Sequence, residues 1–174
     1  SCYRSSPTIT NNTIAGNGEG ISCYTSSPTI TNNTIAGNET GIYCYDLSPS
    51  ITNNIVAFNT MGIFNWHCTP VLRSNCVFNP DGTNYRGLAA GASDITTDPK
   101  FVSATYGKLH IQPDSPCVDA GLDSVVGGGW KDMDGQARIQ GPHVDIGADE
   151  SDGTVWPEYV QVVVRVSPDG VDDT

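Results

Sequence analysis

Hydrophobic and polar positions in the first half of the chain recur at a fixed interval of 21 residues. Four kinds of position return at that spacing: Pro7, Pro28, Pro49 and Pro70; Ile9, Ile30, Ile51 and Leu72; Asn12, Asn33, Asn54 and Asn75; and the pairs Gly20-Ile21, Gly41-Ile42 and Gly62-Ile63. Residues 6–17 and 27–38 are identical in sequence. A strict repeat of this length predicts a solenoid, because each short unit buries its apolar side chains only by stacking on the next.

The pattern inside each unit predicts strands. Apolar positions are mostly β-branched, and short polar segments rich in Asn, Gly, Thr and Ser separate them, without the 3.6-residue spacing of a helix. Within residues 41–45, alternation sends Ile42 and Cys44 inward and Tyr43 and Tyr45 outward. The fold class is therefore all-β, a parallel β-helix with about three strands in each 21-residue coil.

Pairs of asparagines mark one bend of every coil. Asparagine tolerates the left-handed backbone conformation that tight bends need. When coils stack in register, the side-chain amides of one row hydrogen-bond to each other. This structural role is favoured over a catalytic one for the predicted Asn ladder, which consists of Asn12, Asn33, Asn54 and Asn75.

The repeat resembles that of a known family. The segment SPTITNNTIAGN, followed by Gly-Ile, is similar to the coils of right-handed parallel β-helix proteins of the pectate-lyase-like superfamily, over residues 1–82. Five further segments follow in order, at 98–102, Leu109, 115–121, 132–138 and 144–150. They resemble the C-terminal part of secreted bacterial β-helix proteins of the "choice-of-anchor Q" group. The resemblance implies an extracellular or cell-surface location, and it implies no particular reaction.

Three regions are expected along the chain. Residues 1–82 form the β-helix coils, and residues 83–150 form a C-terminal closing or capping segment. Residues 151–174 form a linker that bears a strand at 159–166 and leads toward a further unit. The first coil begins without a cap, which predicts earlier coils or head-to-tail docking of another copy.

Charge and length exclude several partners. The 174-residue chain carries 19 acidic and 8 basic residues, for a net charge of −11. Binding to nucleic acid or to an anionic membrane needs clustered Lys and Arg, and insertion needs about 20 consecutive apolar residues. Neither is present. Cys2, Cys23 and Cys44 follow the repeat, so stacked free thiols are favoured over disulfides for this row.

Aromatic residues form a row of their own. Tyr3, Tyr24, Tyr45 and Trp66 are 21 residues apart, and Tyr43 and Phe64 share their outward orientation. An exposed ladder of rings can contact protein, within the chain or between chains, or bind a polysaccharide by stacking. Packing of the rings against one another on a plain surface is the third alternative.

The C-terminal part offers one candidate metal site. Asp132 and Asp134 stand one residue apart in an Asp-x-Asp-Gly turn, an arrangement that suits calcium. A turn without metal, fixed by an ion pair of Arg138 with Asp145 or Asp134, is favoured over it. No other cofactor is expected.

Catalysis is less favoured than a structural role. Polysaccharide lyases and glycoside hydrolases need clustered basic or acidic groups. Residues 1–82 contain only four acids and two arginines, at Glu19, Glu39, Asp46, Asp81, Arg4 and Arg73, so we predict no catalytic residue there.

The sequence therefore predicts a non-catalytic extracellular structural or adhesive β-helix protein. It contacts copies of itself or neighbouring tandem units, and head-to-tail docking would build a filament. The alternative is a carbohydrate-binding or polysaccharide lyase-like module of a secreted protein.

Overall fold

The computed structural model describes residues 1–103 and 108–157. The strand predicted at 159–166 lies outside these residues. Short parallel strands stack into three sheets, which form the sides of the solenoid. Sheet A contains β1 (Cys2–Tyr3), β4 (Glu19–Tyr24), β7 (Thr40–Tyr45), β10 (Met61–Trp66) and β13 (Thr83–Arg86). Sheet B contains β2 (Thr8–Thr10), β5 (Thr29–Thr31), β8 (Ser50–Thr52) and β11 (Val71–Arg73). Sheet C contains β3 (Thr13–Ala15), β6 (Thr34–Ala36), β9 (Ile55–Ala57) and β12 (Cys76–Phe78).

The strands pair in the register of the sequence repeat. Ile9 pairs with Ile30, and Ile30 pairs with Ile51, so equivalent positions of successive coils lie directly above one another. The predicted all-β parallel solenoid with 21-residue coils is thus confirmed. The stack also continues past residue 82, because β13 pairs with β10 and Ile95 bridges to Cys76. This partial fifth coil lies within the range assigned to the closing segment.

Left-handed residues make the bends between sheets. The first asparagine of each pair at the bend from sheet B to sheet C has a positive φ: 56° at Asn11, 54° at Asn32 and 56° at Asn53. Glycine serves the next bend in the first two coils, at Gly16 and Gly37. These residue types reach that conformation at little steric cost, so the backbone turns sharply once per strand.

The inward side chains form one continuous core. Rows of isoleucine, valine and cysteine from all three sheets pack between the strands, and the fully buried members include Ile30, Ile42, Ile51, Ile63, Val56 and Val77. All six cysteines are free thiols. Hydrogen bonding to Cys23 and Cys68, together with burial, raises the pKa of Cys44 far above its usual range, so this thiol stays protonated. Cys2, Cys23 and Cys44 are all buried in the core, so the cysteine row acts as small apolar filling.

The closing segment packs along the side of the coils. Its antiparallel pair, β14 (Phe101–Ser103) and β15 (Lys108–Ile111), forms a fourth sheet, and a 3₁₀ turn covers Asp123–Val125. Buried residues of this segment join a second apolar cluster on the outer face of sheet C, made of Ile55, Ala57, Cys76, Ile111, Cys117 and Ile146. Two backbone amides fix the contact: Gly147 donates to the carbonyl of Asn53, and Ala148 donates to Thr34 Oγ1. The segment thus covers one lateral face of the solenoid.

Candidate functional site

Aromatic rings cover the outer face of sheet A, which we call the aromatic face (Tyr24, Tyr43, Tyr45, Phe64 and Trp66). Strand alternation puts Ile42 and Cys44 in the core and leaves the rings outside. The ring centroids lie 5.3 Å apart for Tyr24 and Tyr43, 5.1 Å for Tyr43 and Phe64, and 6.1 Å for Phe64 and Trp66. These spacings are typical of packed aromatic pairs, so the rings form one contiguous surface.

The accessible part of this surface is concentrated at its margins. Trp66 is 45% exposed, and Tyr3, whose backbone pairs with Tyr24, is 65% exposed. The guanidinium of Arg86 lies 4.8 Å from the centroid of Phe64, and that of Arg4 lies 5.2 Å from the centroid of Tyr3. The face therefore combines aromatic and arginine side chains, two residue types enriched where proteins bind each other.

One carboxylate lies beside the tyrosines. Glu19, the first residue of β4, accepts a hydrogen bond from the hydroxyl of Ser22 on the same strand. Burial raises the pKa of Tyr24 and Tyr43, and the negative charge of Glu19 raises both further. Their phenol groups stay protonated and keep a hydroxyl donor at the aromatic face.

The Asn ladder runs through the interior at the bend between sheets B and C. The Oδ1 atom of Asn33 accepts from Asn12 N at 3.0 Å, and the same bond joins Asn33 to Asn54 and Asn54 to Asn75. The last amide donates to Asp94, whose Oδ1 accepts from Asn75 N at 2.9 Å and from Asn75 Nδ2 at 3.0 Å. The row is a structural element, since its amide groups are used in bonds between coils.

A second row of asparagines was not recognised in the sequence. Its first three members, Asn17, Asn38 and Asn59, are 21 residues apart, and the fourth is Asn79. The backbone amide of each of the first three donates to Oδ1 of the next asparagine, at 2.9, 2.9 and 2.7 Å in that order. Asn84 continues the row. The 21-residue spacing of the first three was the available signal.

Asp132 and Asp134 have different surroundings. Asp132 Oδ1 accepts hydrogen bonds from the backbone amides of Asp134 at 3.1 Å and Gln136 at 2.7 Å. The carboxylate of Asp134 instead meets His110 Nε2 at 2.9 Å. Together with Asp149 these two residues form a group in which all ligating atoms lie within 4.8 Å of one another. Sequence reasoning missed His110 because no local spacing links it to Asp134.

Arg138 holds the closing segment, although its partner differs from the predicted ones. Its guanidinium forms an ion pair with Glu150 at 3.7 Å rather than with the carboxylate of Asp145 or Asp134. It also donates to the backbone carbonyls of Asp145, Gly147 and Asp149. The prediction was wrong in the partner, because the chain wraps residues 145–150 around the buried arginine.

Burial dominates the ionisation of this region. It raises the pKa of Glu150 to about 7 and that of Asp149 to about 6, and it lowers the pKa of Arg138. Backbone amides donate to both carboxylates and oppose the shift. Within the described part of the chain, the triad of His110, Asp134 and Asp149 is the one cluster of at least three side chains placed to bind a metal ion.

A family model described as the right-handed beta helix region matches residues 2–91. The chain belongs to this family. The match covers all complete coils and extends through β13, and it gives the solenoid its right hand. No curated protein and no solved structure matches the chain. In the described residues, no helix is long and apolar enough to cross a membrane. Family membership establishes the fold and implies no particular activity.

Proposed function

We propose that the chain is a non-catalytic adhesive or structural module of an extracellular or cell-surface protein, and that its aromatic face binds a copy of itself or a neighbouring tandem unit. The observation that carries this proposal is the contiguous row of rings from Tyr24 to Trp66 on the outer face of sheet A, which ends at a 45% exposed Trp66. The resemblance of residues 98–150 to secreted "choice-of-anchor Q" proteins supports the location.

The arrangement of the rings favours a protein partner. Tyr24 and Tyr43 are inclined by 64°, and Phe64 and Trp66 by 76°, so neighbouring rings meet edge to face. Arg86 covers a further ring, that of Phe64. Sugars stack best on open, unobstructed ring faces, whereas protein interfaces accept irregular aromatic surfaces with arginine among them. Burying this face would remove several large apolar side chains from water, which stabilises association.

Polysaccharide binding is the second candidate. Trp66 is 45% exposed at the margin of the face, and an accessible indole ring is a suitable platform for one sugar ring. This candidate needs few rings, so it predicts that Trp66 alone accounts for binding. The protein contact, in contrast, depends on Tyr45 and Trp66 together.

The test compares a double variant, Tyr45→Ala with Trp66→Ala, against the control Leu47→Ala. Leu47 is 47% exposed and apolar and lies outside the aromatic face. Multi-angle light scattering and electron microscopy measure assembly of the chain, and affinity electrophoresis in polysaccharide gels measures glycan retention. The proposal expects the wild type and Leu47→Ala to self-associate and the double variant to be monomeric.

Three outcomes contradict the proposal. Equal association of the double variant and the wild type would show that the aromatic face makes no contact. A monomeric wild type that polysaccharide gels retard, and that loses retardation on Trp66→Ala alone, would favour the second candidate. Cleavage of a polysaccharide by the purified chain would overturn the non-catalytic assignment.

A further inference from the structure

Three side chains from separate parts of the closing segment converge at one point. His110 lies on β15, Asp134 in the turn at residues 132–135, and Asp149 in the segment that wraps Arg138. Their ligating atoms all lie within 4.8 Å of one another, and His110 Nε2 is 2.9 Å from Asp134 Oδ2. One imidazole nitrogen and two carboxylates form a donor set that divalent transition metals favour.

Each of the three is held in place by neighbouring groups. The ring of Trp156 stacks on His110, with centroids 4.7 Å apart and an inclination of 33°. Gln112 fixes Trp156 from both sides, since its Oε1 accepts from Trp156 N and its Nε2 donates to Trp156 O, both at 3.2 Å. Asp149 Oδ2 accepts from Ile111 N at 2.8 Å. Ligands that are fixed before binding lower the cost of forming a metal site.

The charges around this point are unbalanced. Asp149 is only 3% exposed, and among the described residues a single backbone amide donates to it. Asp132, 7% exposed, adds a carboxylate oxygen, Oδ2, that is buried and accepts no hydrogen bond from the described residues. The nearby guanidinium of Arg138 is engaged with Glu150 and three carbonyls. A buried carboxylate without compensation is costly, and a bound cation would remove that cost.

We propose that His110, Asp134 and Asp149 bind one divalent cation of the zinc class. A tetrahedral zinc ion with ligand distances of about 2.0–2.2 Å separates its ligand atoms by roughly 3.4 Å, so small side-chain movements close the site. Coordination through His110 Nε2 requires the neutral ring with its proton on Nδ1, so the ion takes the place of the direct contact between Nε2 and the Asp134 carboxylate. The imidazole ligand favours zinc over calcium, which prefers an all-oxygen shell. The site uses Asp134 and differs from a calcium site formed by Asp132 and Asp134.

The bound ion would link three segments that are distant in sequence. Strand β15, the turn at 132–135 and the segment around Asp149 would share one cross-link, close to the cluster that covers sheet C. Zinc would therefore stabilise the closing segment against unfolding, since a ligand that binds only the folded state raises its stability. This stabilisation does not depend on what the aromatic face binds.

The experiment titrates the full chain with Zn²⁺ after chelator treatment. Isothermal titration calorimetry is expected to show one equivalent, with thermal unfolding shifted upward and Trp156 fluorescence changed by the adjacent ion. His110→Asn and Asp134→Asn should each weaken binding at least about 100-fold, because loss of a ligand exceeds the 10- to 100-fold cost of losing a supporting group. Trp156→Phe should bind zinc with a reduced fluorescence change.

The chain supplies a matched control in His143. Its Nδ1 lies 2.9 Å from Asp123 Oδ2, the same distance as in the proposed site, and these two residues belong to no metal-binding triad within the described residues. His143→Asn should bind zinc as the wild type does. Circular dichroism confirms that each variant is folded, and the side chain of Asp134, 41% exposed, gives the variant least expected to disturb folding.

Three results would overturn the proposal. The first is a wild type that takes up no zinc at millimolar concentration. The second is wild-type zinc affinity in the folded variants His110→Asn and Asp134→Asn. A loss of zinc affinity in His143→Asn as large as in those two variants would count equally against the site. The third is a protein that binds Ca²⁺ more tightly than Zn²⁺. If Asp132→Asn abolished that calcium binding and His110→Asn left it unchanged, the region would be a calcium site.

Discussion

Replacing Asn54 by alanine should strongly destabilise the solenoid. Asn54 is fully buried in the middle of the Asn ladder. Its Nδ2 donates to Ile30 O and Thr52 O at 2.9 Å and to Asn75 Oδ1 at 3.1 Å. Its Oδ1 accepts from the backbone amide and the side-chain amide of Asn33, both at 3.0 Å. The side chain thus links three successive coils, with two Nδ2 hydrogens shared among three acceptors and Oδ1 accepting from two donors.

The expected loss follows from those bonds. A hydrogen bond contributes about 1 kcal/mol net, and a buried polar group that loses its partner costs about 1–3 kcal/mol. The two donor hydrogens and the two bonds accepted by Oδ1 amount to about four hydrogen bonds, and their loss gives a destabilisation of about 3–5 kcal/mol for Asn54→Ala. Asn54→Asp should cost at least as much, since aspartate keeps the acceptor, loses both amide donors and buries a charge.

The control is Asn12→Ala in the same row. The exposed Asn12 side chain makes two hydrogen bonds, to Thr10 O at 2.8 Å and to Asn33 Oδ1 at 3.0 Å, so its loss should cost about 1 kcal/mol. Urea unfolding followed by far-ultraviolet circular dichroism gives the free energy of unfolding for each variant. The reasoning is refuted if Asn54→Ala lies within about 1 kcal/mol of wild type, or if Asn12→Ala costs as much as Asn54→Ala.

Three further predictions concern the backbone and the buried charges. Gly41→Ala would place a Cβ 2.6 Å from Val56 Cγ1, and overpacking of this kind lowers the free energy of unfolding by about 1–3 kcal/mol. A Cβ at Gly18 would meet nothing within 4 Å, so Gly18→Ala should stay within about 0.5 kcal/mol of wild type. Urea unfolding measures both variants. Thr25 has a φ of 47°, which strains a β-branched residue, so Thr25→Asn should raise the melting temperature by about 2–4 °C. A melting temperature below that of the wild type would contradict this prediction. Because burial raises the pKa of Glu150 to about 7, its folded form binds the proton more tightly than its unfolded form. The free energy of unfolding should therefore fall by on the order of 3 kcal/mol as pH rises from about 4.5 to 7, and Glu150→Gln should make this slope shallower. The slope that remains comes from Asp149, whose pKa is raised in the same direction. Equal slopes in the two proteins would contradict the prediction.

The coils were predictable because their information is local and repeated. Each 21-residue unit carries its own alternation and its own Asn bend, and stacking in register turns one row of the sequence into one ladder. The same logic gave the outward orientation of Tyr43 and Tyr45. The second asparagine row, beginning at Asn17, and the partial fifth coil were overlooked, because both depart from the 21-residue interval toward the end of the stack.

The closing segment was not predictable to the same degree. It contains no repeat, and its decisive contacts join residues far apart, such as Ala148 N with Thr34 Oγ1 or Ile111 N with Asp149 Oδ2. Motif spacing suggested that Asp132 and Asp134 act together, yet the turn uses Asp132 for its own amides and brings Asp134 to His110. Contacts of this kind depend on how the whole segment packs, which no short pattern encodes.

The two outer faces that carry aromatic rings differ in a way that supports the proposed contact. At sheet C the rings are Phe78 on β12 and Phe58 at the bend after β9, 5.6 Å apart, and the closing segment packs its own Phe101 5.9 Å from Phe58. Phenylalanine, which has no polar group, suits a permanently covered face. On sheet A, Tyr24, Tyr43 and Tyr45 accompany Phe64, and their hydroxyls can bond to water when the face is free and to a partner when it is bound. A surface built from such residues is suited to reversible contact, so a polar but well-packed interface is the expected result when this face is occupied.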